Sequence, residues 1–379
     1  MNERFDPAKL RRVILKVGSN SIVSKNGEVR LGFLGELVTI ISRLMKAGTG
    51  VVLVSSGAIA MGFTRIGLSK KPTDIPSRQA CAALGQTELM SLYQRLFDAQ
   101  GTRSAQVLLV RDDLEDRRRY LNAREALLKL IDLKVVPVVN ENDSVGIEEI
   151  VYGDNDLLSA LVAGAVDADL LVLLTDVEGL YDSPPGVHHG AKLIHRVTGD
   201  IGVHLLSASG SSSGLGSGGM RSKLEAAALC SGLGIPTVIS KADGTALGEV
   251  LSGGERGTFI PAVPRKVDSR RRWLSKAAQV QGTLTLDDGA VVAITQKQKS
   301  LLPTGITSVE GDFPRGAPIS LCTTDGLEIG RGFSRYPADD LRRVIGKHGK
   351  AINRELGYTF GDEAVHKDDM VLITGLGRD

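Results

Sequence analysis

Apolar residues recur along the first two thirds of the chain in two alternating periods. Short runs rich in Val, Leu and Ile occupy residues 13–17, 51–54, 107–110, 135–139, 170–174 and 237–239. Between them the apolar positions step by three and four. Leu34, Leu37, Val38, Ile41, Leu44 and Met45 make one such stripe, and Leu89, Leu92, Tyr93, Leu96 and Phe97 make another. The first period marks strands apolar on both faces, and the second marks amphipathic helices that cover them. Strands buried on both sides and separated by helices predict an α/β fold, a doubly wound, mostly parallel sheet over residues 1–262.

The texture changes near Pro264. Pro261, Pro264 and the run Arg270, Arg271, Arg272 mark a linker at residues 263–275. Residues 276–379 then read as a second, small domain with short strands at 280–286, 290–294, 317–321, 328–334 and 370–374. Asp287-Asp288-Gly289 reads as a hairpin turn between the first two, and Asp325-Gly326 precedes the fourth. Short strands bounded by turns predict a β-barrel-like domain.

Composition narrows the function classes. Glycine contributes 45 of 379 residues without a collagen-like period, which suits tight turns and backbone that approaches a ligand closely. Aromatics are 4% and the net charge is +2, so neither base stacking nor electrostatics argues for nucleic acid or membrane as the main partner. Cys81, Cys230 and Cys322 are isolated and lack metal-ligand spacing, which predicts buried thiols in a reducing compartment. The N-terminus has no signal-peptide core, and no apolar run approaches the roughly 20 residues of a membrane span. A cytoplasmic protein is expected.

Candidate chemistry sits in four loops that follow strands, where open α/β sheets bind ligands. Lys16-Val17-Gly18-Ser19 ends the first strand; a lysine there either reaches an anion or snorkels to the surface. Ser55-Ser56-Gly57-Ala58 offers small residues and a hydroxyl, although a serine N-cap with a turn glycine reads equally well. Asn140-Glu141-Asn142-Asp143 and Gly153-Asp154-Asn155-Asp156 crowd carboxylates and amides ahead of a helix over 157–166. Such a set can bind an ammonium, orient lysines or hold a metal through water, and two clusters so close weaken the reading as a solvated acidic loop. The fourth loop runs from Gly214 to Gly219 into Met220, Arg221, Ser222 and Lys223; glycine N–H groups at a helix start cradle phosphates, with a lysine one turn inside. A dinucleotide fingerprint fits poorly, because the preceding residues 207–213 are polar rather than a strand.

The strings LKVGSN, VVLVSSGAIAMG, VPVVNENDSVGIEEIVYGDND, LLLTDVEGLY and SGLGSGGMRSK, in that order, resemble the glutamate 5-kinases of the amino acid kinase family. SLLPTGITSVEG, GRGFSRYPADDLRRVIG and AVHKDDMVLITG resemble a PUA domain. A local departure is Ser55, where the family commonly has Thr. The resemblance implies that Ser56, Asp143, Asp154 and Asn155 bind glutamate. It implies that Lys16, Thr175, Asp176, Ser217, Gly218, Gly219, Met220, Arg221, Ser222 and Lys223 bind ATP. Lys16, Asp156 and Lys223 would be the catalytic set, with Asp156 organising the centre. Mg²⁺ would be held through ATP phosphates and water rather than by protein ligands.

The implied reaction is phosphorylation of the side-chain carboxylate of L-glutamate to L-glutamyl 5-phosphate, the first step toward proline. Proline is then the expected inhibitor, with the acidic loop 112–116 beside its site. A homo-oligomer and a transient contact with glutamyl phosphate reductase also follow from the resemblance. The rivals are an acetylglutamate, aspartate or uridylate kinase, and an RNA-binding protein. An N-acetylated substrate lacks the ammonium that would account for the acidic residues, and RNA binding by the PUA domain is not expected from the near-neutral charge. His188 and His189 read as part of a solvated variable loop rather than as metal ligands.

Overall fold

The computed structural model describes residues 4–24, 26–68, 72–146, 155–183, 190–198, 201, 219–263, 280–348 and 351–372. The chain divides into two compact units, Met1–Arg265 and Lys266–Asp379.

Seven strands of the first unit form one sheet: β1 (Arg12–Val17), β2 (Gly50–Ser55), β3 (Arg103–Leu109), β4 (Val135–Glu141), β5 (Leu170–Thr175), β6 (Thr237–Lys241) and β7 (Thr258–Ile260). Their order is β3-β4-β2-β1-β5-β6-β7. Every neighbour pair is parallel except β6 with the edge strand β7, which is antiparallel. The apolar runs alternate between two cores. Val13, Leu15 and Val17 of β1 join Val51, Leu53, Leu170 and Val172 on one face; Ile14 joins Val52, Val54, Leu171 and Leu173 on the other. Both faces are therefore dry, which is why these strands read as continuous apolar runs. β3 begins at Arg103, four residues before the predicted run, because its outer half is an edge with Arg103 and Gln106 exposed.

Nine described helices accompany this sheet: α1 (Ser19–Ile22), α2 (Leu31–Lys46), α3 (Ala58–Ile66), α4 (Ile75–Ala99), α5 (Arg111–Glu115), α6 (Arg117–Asp132), α7 (Asn155–Ala165), α8 (Met220–Gly232) and α9 (Gly244–Leu251). The predicted stripes are their buried faces: Leu34, Leu37, Val38, Ile41 and Met45 in α2, and Leu89, Leu92, Tyr93 and Phe97 in α4. α7 and α8 supply Leu158, Val162, Ala163, Leu224 and Ala227 to the core on the Ile14 face of the sheet. α4 starts at Asp74, whose side chain accepts from Ser77 N at 2.9 Å. α3 and α4 approach to backbone contact. A Cβ on Gly62 would fall 1.8 Å from Cys81 O, and one on Gly85 would fall 1.8 Å from Ala58 O. Only glycine permits that spacing, and it locks the first turn of α3 against the middle of α4.

The second unit has a five-stranded sheet of order β12-β11-β10-β8-β9. Its strands are β8 (Gly282–Leu286), β9 (Ile306–Glu310), β10 (Pro318–Cys322), β11 (Glu328–Phe333) and β12 (Met370–Leu372). Its own core includes Leu284, Ile319, Tyr336, Leu341 and Val365. Here one expectation fails. Residues 287–289 make no hairpin and 290–294 make no strand: Asp287 instead caps a helix, Asp288–Thr295, accepting from Ala290 N at 2.6 Å. The antiparallel partner of β8 is β9, which the pattern did not reveal. The linker from 264 to 275 lies outside the described residues. No described helix is long and apolar enough to cross a membrane.

Candidate active site

Strand parity decides where Lys16 goes. It shares a face of β1 with Ile14, the face that α7 and α8 cover, so its side chain runs beneath those helices. Lys16 is 4% exposed, and its Nζ lies 2.5 Å from Asp156 Oδ1 in the first turn of α7. Lys223, in the first turn of α8, brings its Nζ to 3.0 Å from Asp156 Oδ2. Ser222 donates to the same oxygen at 2.9 Å while its hydroxyl also approaches Gly219 O. One carboxylate from α7 thus holds two ammoniums that come from separate elements. The two buried ammoniums place positive charge in a water-poor setting, which suits a polyanion. The snorkelling reading of Lys16 is excluded by its burial and its partner.

Asn155, the residue before Asp156, serves a second cluster. It is fully buried, and its Nδ2 donates to Ser55 O at 3.2 Å, to Ser56 Oγ at 3.0 Å and to Asn140 Oδ1 at 2.9 Å. Those partners stand at the carboxyl ends of β2 and β4, so Asn155 ties two strand ends together. Asn140 Oδ1 also accepts from Glu141 N at 2.9 Å, and Asn140 Nδ2 donates to Gln86 Oε1 of α4 at 2.8 Å. Ser55 Oγ donates to Ser56 O at 3.0 Å and lies 2.9 Å from the Tyr93 hydroxyl, which therefore donates to it. Burial pushes the Tyr93 phenol well above its ordinary value, so it stays a donor.

The remaining candidates fall around these clusters. Asp143 is 4% exposed in the turn after β4, where Val145 N and Gly146 N both bond to Asn142 O. Thr175 ends β5, is nearly buried, and donates to Asp176 Oδ1 at 3.1 Å. Gly219 caps α8, and Met220 is partly buried against the core. Arg221 pairs with Glu225 at 2.9 Å on the exposed side of α8, an i,i+4 surface pair rather than a contact with the Lys–Asp–Lys trio. Asp154, Ser217, Gly218, His188 and His189 lie outside the described residues. The expected acidic loop 112–116 is instead the short helix α5 and the cap of the next: Asp113 accepts from Val110 N at 2.8 Å, and Asp116 caps α6 through Arg119 N at 2.9 Å. Gln86 and Tyr93 were not among the sequence candidates. The available signal was a polar residue, Gln86, on the same stripe of α4 as Ala82, Leu89 and Tyr93.

The sequence model of the amino acid kinase family matches residues 11–241. The chain belongs to the amino acid kinase family. The PUA domain model matches residues 282–356. A glutamate 5-kinase of Myxococcus xanthus (strain DK1622) is 45% identical over 366 residues, 96% of this chain and 96% of the relative. One from Deinococcus radiodurans is 45% identical over 366 residues, covering 96% of this chain and 100% of the relative. One from Moorella thermoacetica is 44% identical over 373 residues, 98% of each chain. In this family member the matched segment ends at the last residue of β6, so both buried clusters fall inside it.

Proposed function

We propose that this chain transfers the terminal phosphoryl group of ATP to the side-chain carboxylate of L-glutamate, giving L-glutamyl 5-phosphate. The observation that carries the reading is the buried Lys16–Asp156–Lys223 bridge. Near-full-length similarity to glutamate 5-kinases supplies the substrate.

The chemistry suits these residues. A glutamate side chain has an unperturbed pKa of about 4.3 and is already a nucleophilic carboxylate at neutral pH. No general base is required. The barrier lies in bringing two anions together and in the charge spread over the transferring phosphoryl group. Lys16 and Lys223 provide fixed positive charge for that task, and Asp156 holds both in place through its two oxygens. Ser56, Asp143 and Asn155 would take the amino-acid end of glutamate, while Thr175, Asp176 and the start of α8 would take ATP. Mg²⁺ would supply further charge neutralisation at the phosphates. Among the described residues no three His, Cys, Asp or Glu side chains gather into a metal cage. Asp156 is committed to two ammoniums and Ser222, so the donors present suit an ion held by phosphate oxygens and water.

The chemistry is assigned to residues 1–262; residues 276–379 are an accessory joined through 263–275. The acyl phosphate product is unstable and calls for a reductase that consumes it. Proline would then act as an end-product inhibitor near residues 112–116, and undiminished activity in excess proline at low glutamate would contradict that. A cytoplasmic homo-oligomer is the form we propose for the enzyme. The deciding experiment is ATP-dependent hydroxamate formation with free glutamate, aspartate and N-acetylglutamate. Activity confined to glutamate supports the assignment, and activity on either of the others instead overturns it.

A further inference from the structure

Hydrogen bonds to the main chain fix the polarity of three buried amides near the site. Glu141 N can only donate, so the atom of Asn140 that it meets is Oδ1; Asn140 Nδ2 then faces Gln86. The Gln86 atom 2.8 Å away must accept and is therefore Oε1. Ser55 O can only accept, so the atom of Asn155 beside it is Nδ2. Each amide orientation follows from a neighbour that cannot reverse its role.

Two polar atoms are left over at the ends of this relay. Gln86 Nε2, on a side chain 9% exposed, is a buried donor without a hydrogen-bond partner among the described residues. Asn155 Oδ1, on a fully buried side chain, is a buried acceptor in the same condition. Ser56 Oγ accepts from Asn155 Nδ2, which leaves the serine hydroxyl proton to be given elsewhere. Buried polar atoms without partners are uncommon and costly, and they call for a ligand or water. Here the leftover atoms have opposite roles and belong to one connected network. An α-amino acid carries the matching pair on one carbon: an ammonium that donates and a carboxylate that accepts.

We propose that Gln86 is a substrate-recognition residue whose Nε2–H meets the α-carboxylate of the amino-acid substrate, while its Oε1 holds Asn140 and, through it, Asn155. The inference rests on the glutamate reading above and adds a residue from α4. Gln79 and Tyr93, seven residues to either side of Gln86, touch the same loops: Gln79 Nε2 donates to Ser144 O at 3.3 Å and Tyr93 bonds Ser55. One stripe of α4 therefore supports the ends of both β2 and β4. The α3–α4 glycine contacts keep that stripe from drifting.

Gln86→Glu separates the two ends of the side chain, because it keeps an acceptor for Asn140 and replaces the outward donor by a carboxylate oxygen. Gln86→Met removes both. Wild type is first shown to phosphorylate glutamate; if it does not, the functional reading fails and this inference is not at issue. Given that activity, both variants should raise KM for glutamate about tenfold to hundredfold, the loss expected of one hydrogen bond to a charged group. KM for ATP should stay within about twofold. For Gln86→Glu the defect should deepen with rising pH, as the introduced carboxyl ionises. Its preference for glutamate over the α-amide of glutamate should also fall, because the amide can donate to Glu. Two outcomes overturn the proposal. One is an unchanged KM for glutamate in both variants across the pH range, as when water alone fills the position. The other is a loss of melting temperature and kcat with KM for glutamate unmoved, which makes Gln86 structural only.

Discussion

Replacing Asp156 by asparagine keeps the shape of the side chain and removes its charge. Lys16 Nζ stands 2.5 Å from one carboxylate oxygen and Lys223 Nζ 3.0 Å from the other. At an effective dielectric constant of about 20, these separations give gross attractions of about 6.6 and 5.5 kcal/mol. Desolvation offsets much of this. Removing one partner of a buried pair still costs about 3–5 kcal/mol, because the remaining charge has lost both water and its counter-ion. In a unit of this size 1 kcal/mol moves Tm by roughly 2–4 °C, so a fall on the order of 6–20 °C is expected. Turnover should drop by about 10²–10³-fold, the usual cost of one preorganised electrostatic contact. Calorimetry and hydroxamate formation read the two effects separately. Adding Lys16→Met to the Asp156→Asn variant relieves the uncompensated charge, so several degrees of Tm should return while turnover stays low. An Asp156→Asn protein that melts and turns over as wild type would refute the reasoning. So would a double variant that regained activity together with stability.

Asp143→Asn should raise KM for glutamate about tenfold, the loss of one charge-assisted contact, while KM for ATP holds; steady-state kinetics with each substrate varied checks this, and a change confined to ATP places Asp143 on the wrong side of the reaction. Gly85→Ala would set a Cβ 1.8 Å from Ala58 O. It should destabilise by at least about 1–3 kcal/mol as α3 and α4 are pushed apart, and an unaltered melting temperature would contradict that account. Burial pushes the Cys230 thiol up to about 12, so folding favours its protonated form. That contribution is complete below the unfolded pKa and disappears as pH rises toward the folded one. At pH 8 a thiol reagent should modify Cys230 only after denaturation, and mass mapping of rapid native labelling there would refute the burial argument.

The parallel sheet was legible because burial on both faces leaves unbroken apolar runs, and Lys16 was legible as the interruption of one. Its partner, Asp156, was named through the family resemblance and not through composition. Composition allows Asp143, Asp154 or Asp156 to meet that ammonium; the parity of β1 and the position of α7 above it bring Asp156 there. Gln86 escaped notice for a related reason: on a stripe shared with Leu89 and Tyr93, one polar residue reads as an irregularity in a core face. In the second unit, Asp287-Asp288-Gly289 carries residues that favour a hairpin turn and residues that favour a helix start. Ala290–Ile294 is too short for its period to arbitrate. The capping bond from Ala290 N resolves the ambiguity toward helix.

Asn155 and Asp156 are consecutive, yet they serve opposite ends of the proposed reaction. Successive residues in the first turn of a helix point about 100° apart, at 3.6 residues per turn. That angle lets Asn155 reach the ends of β2 and β4 while Asp156 reaches β1 and α8. A single rigid turn therefore sets the distance between the amino-acid contacts and the two lysines. Rotation of α7 that improved one set of contacts would spoil the other. Phosphoryl transfer without a general base depends on alignment of two anions more than on any one proton transfer. Under the proposed assignment, placing both sets of contacts on one turn would convert binding of the amino-acid end into alignment of its distant carboxylate.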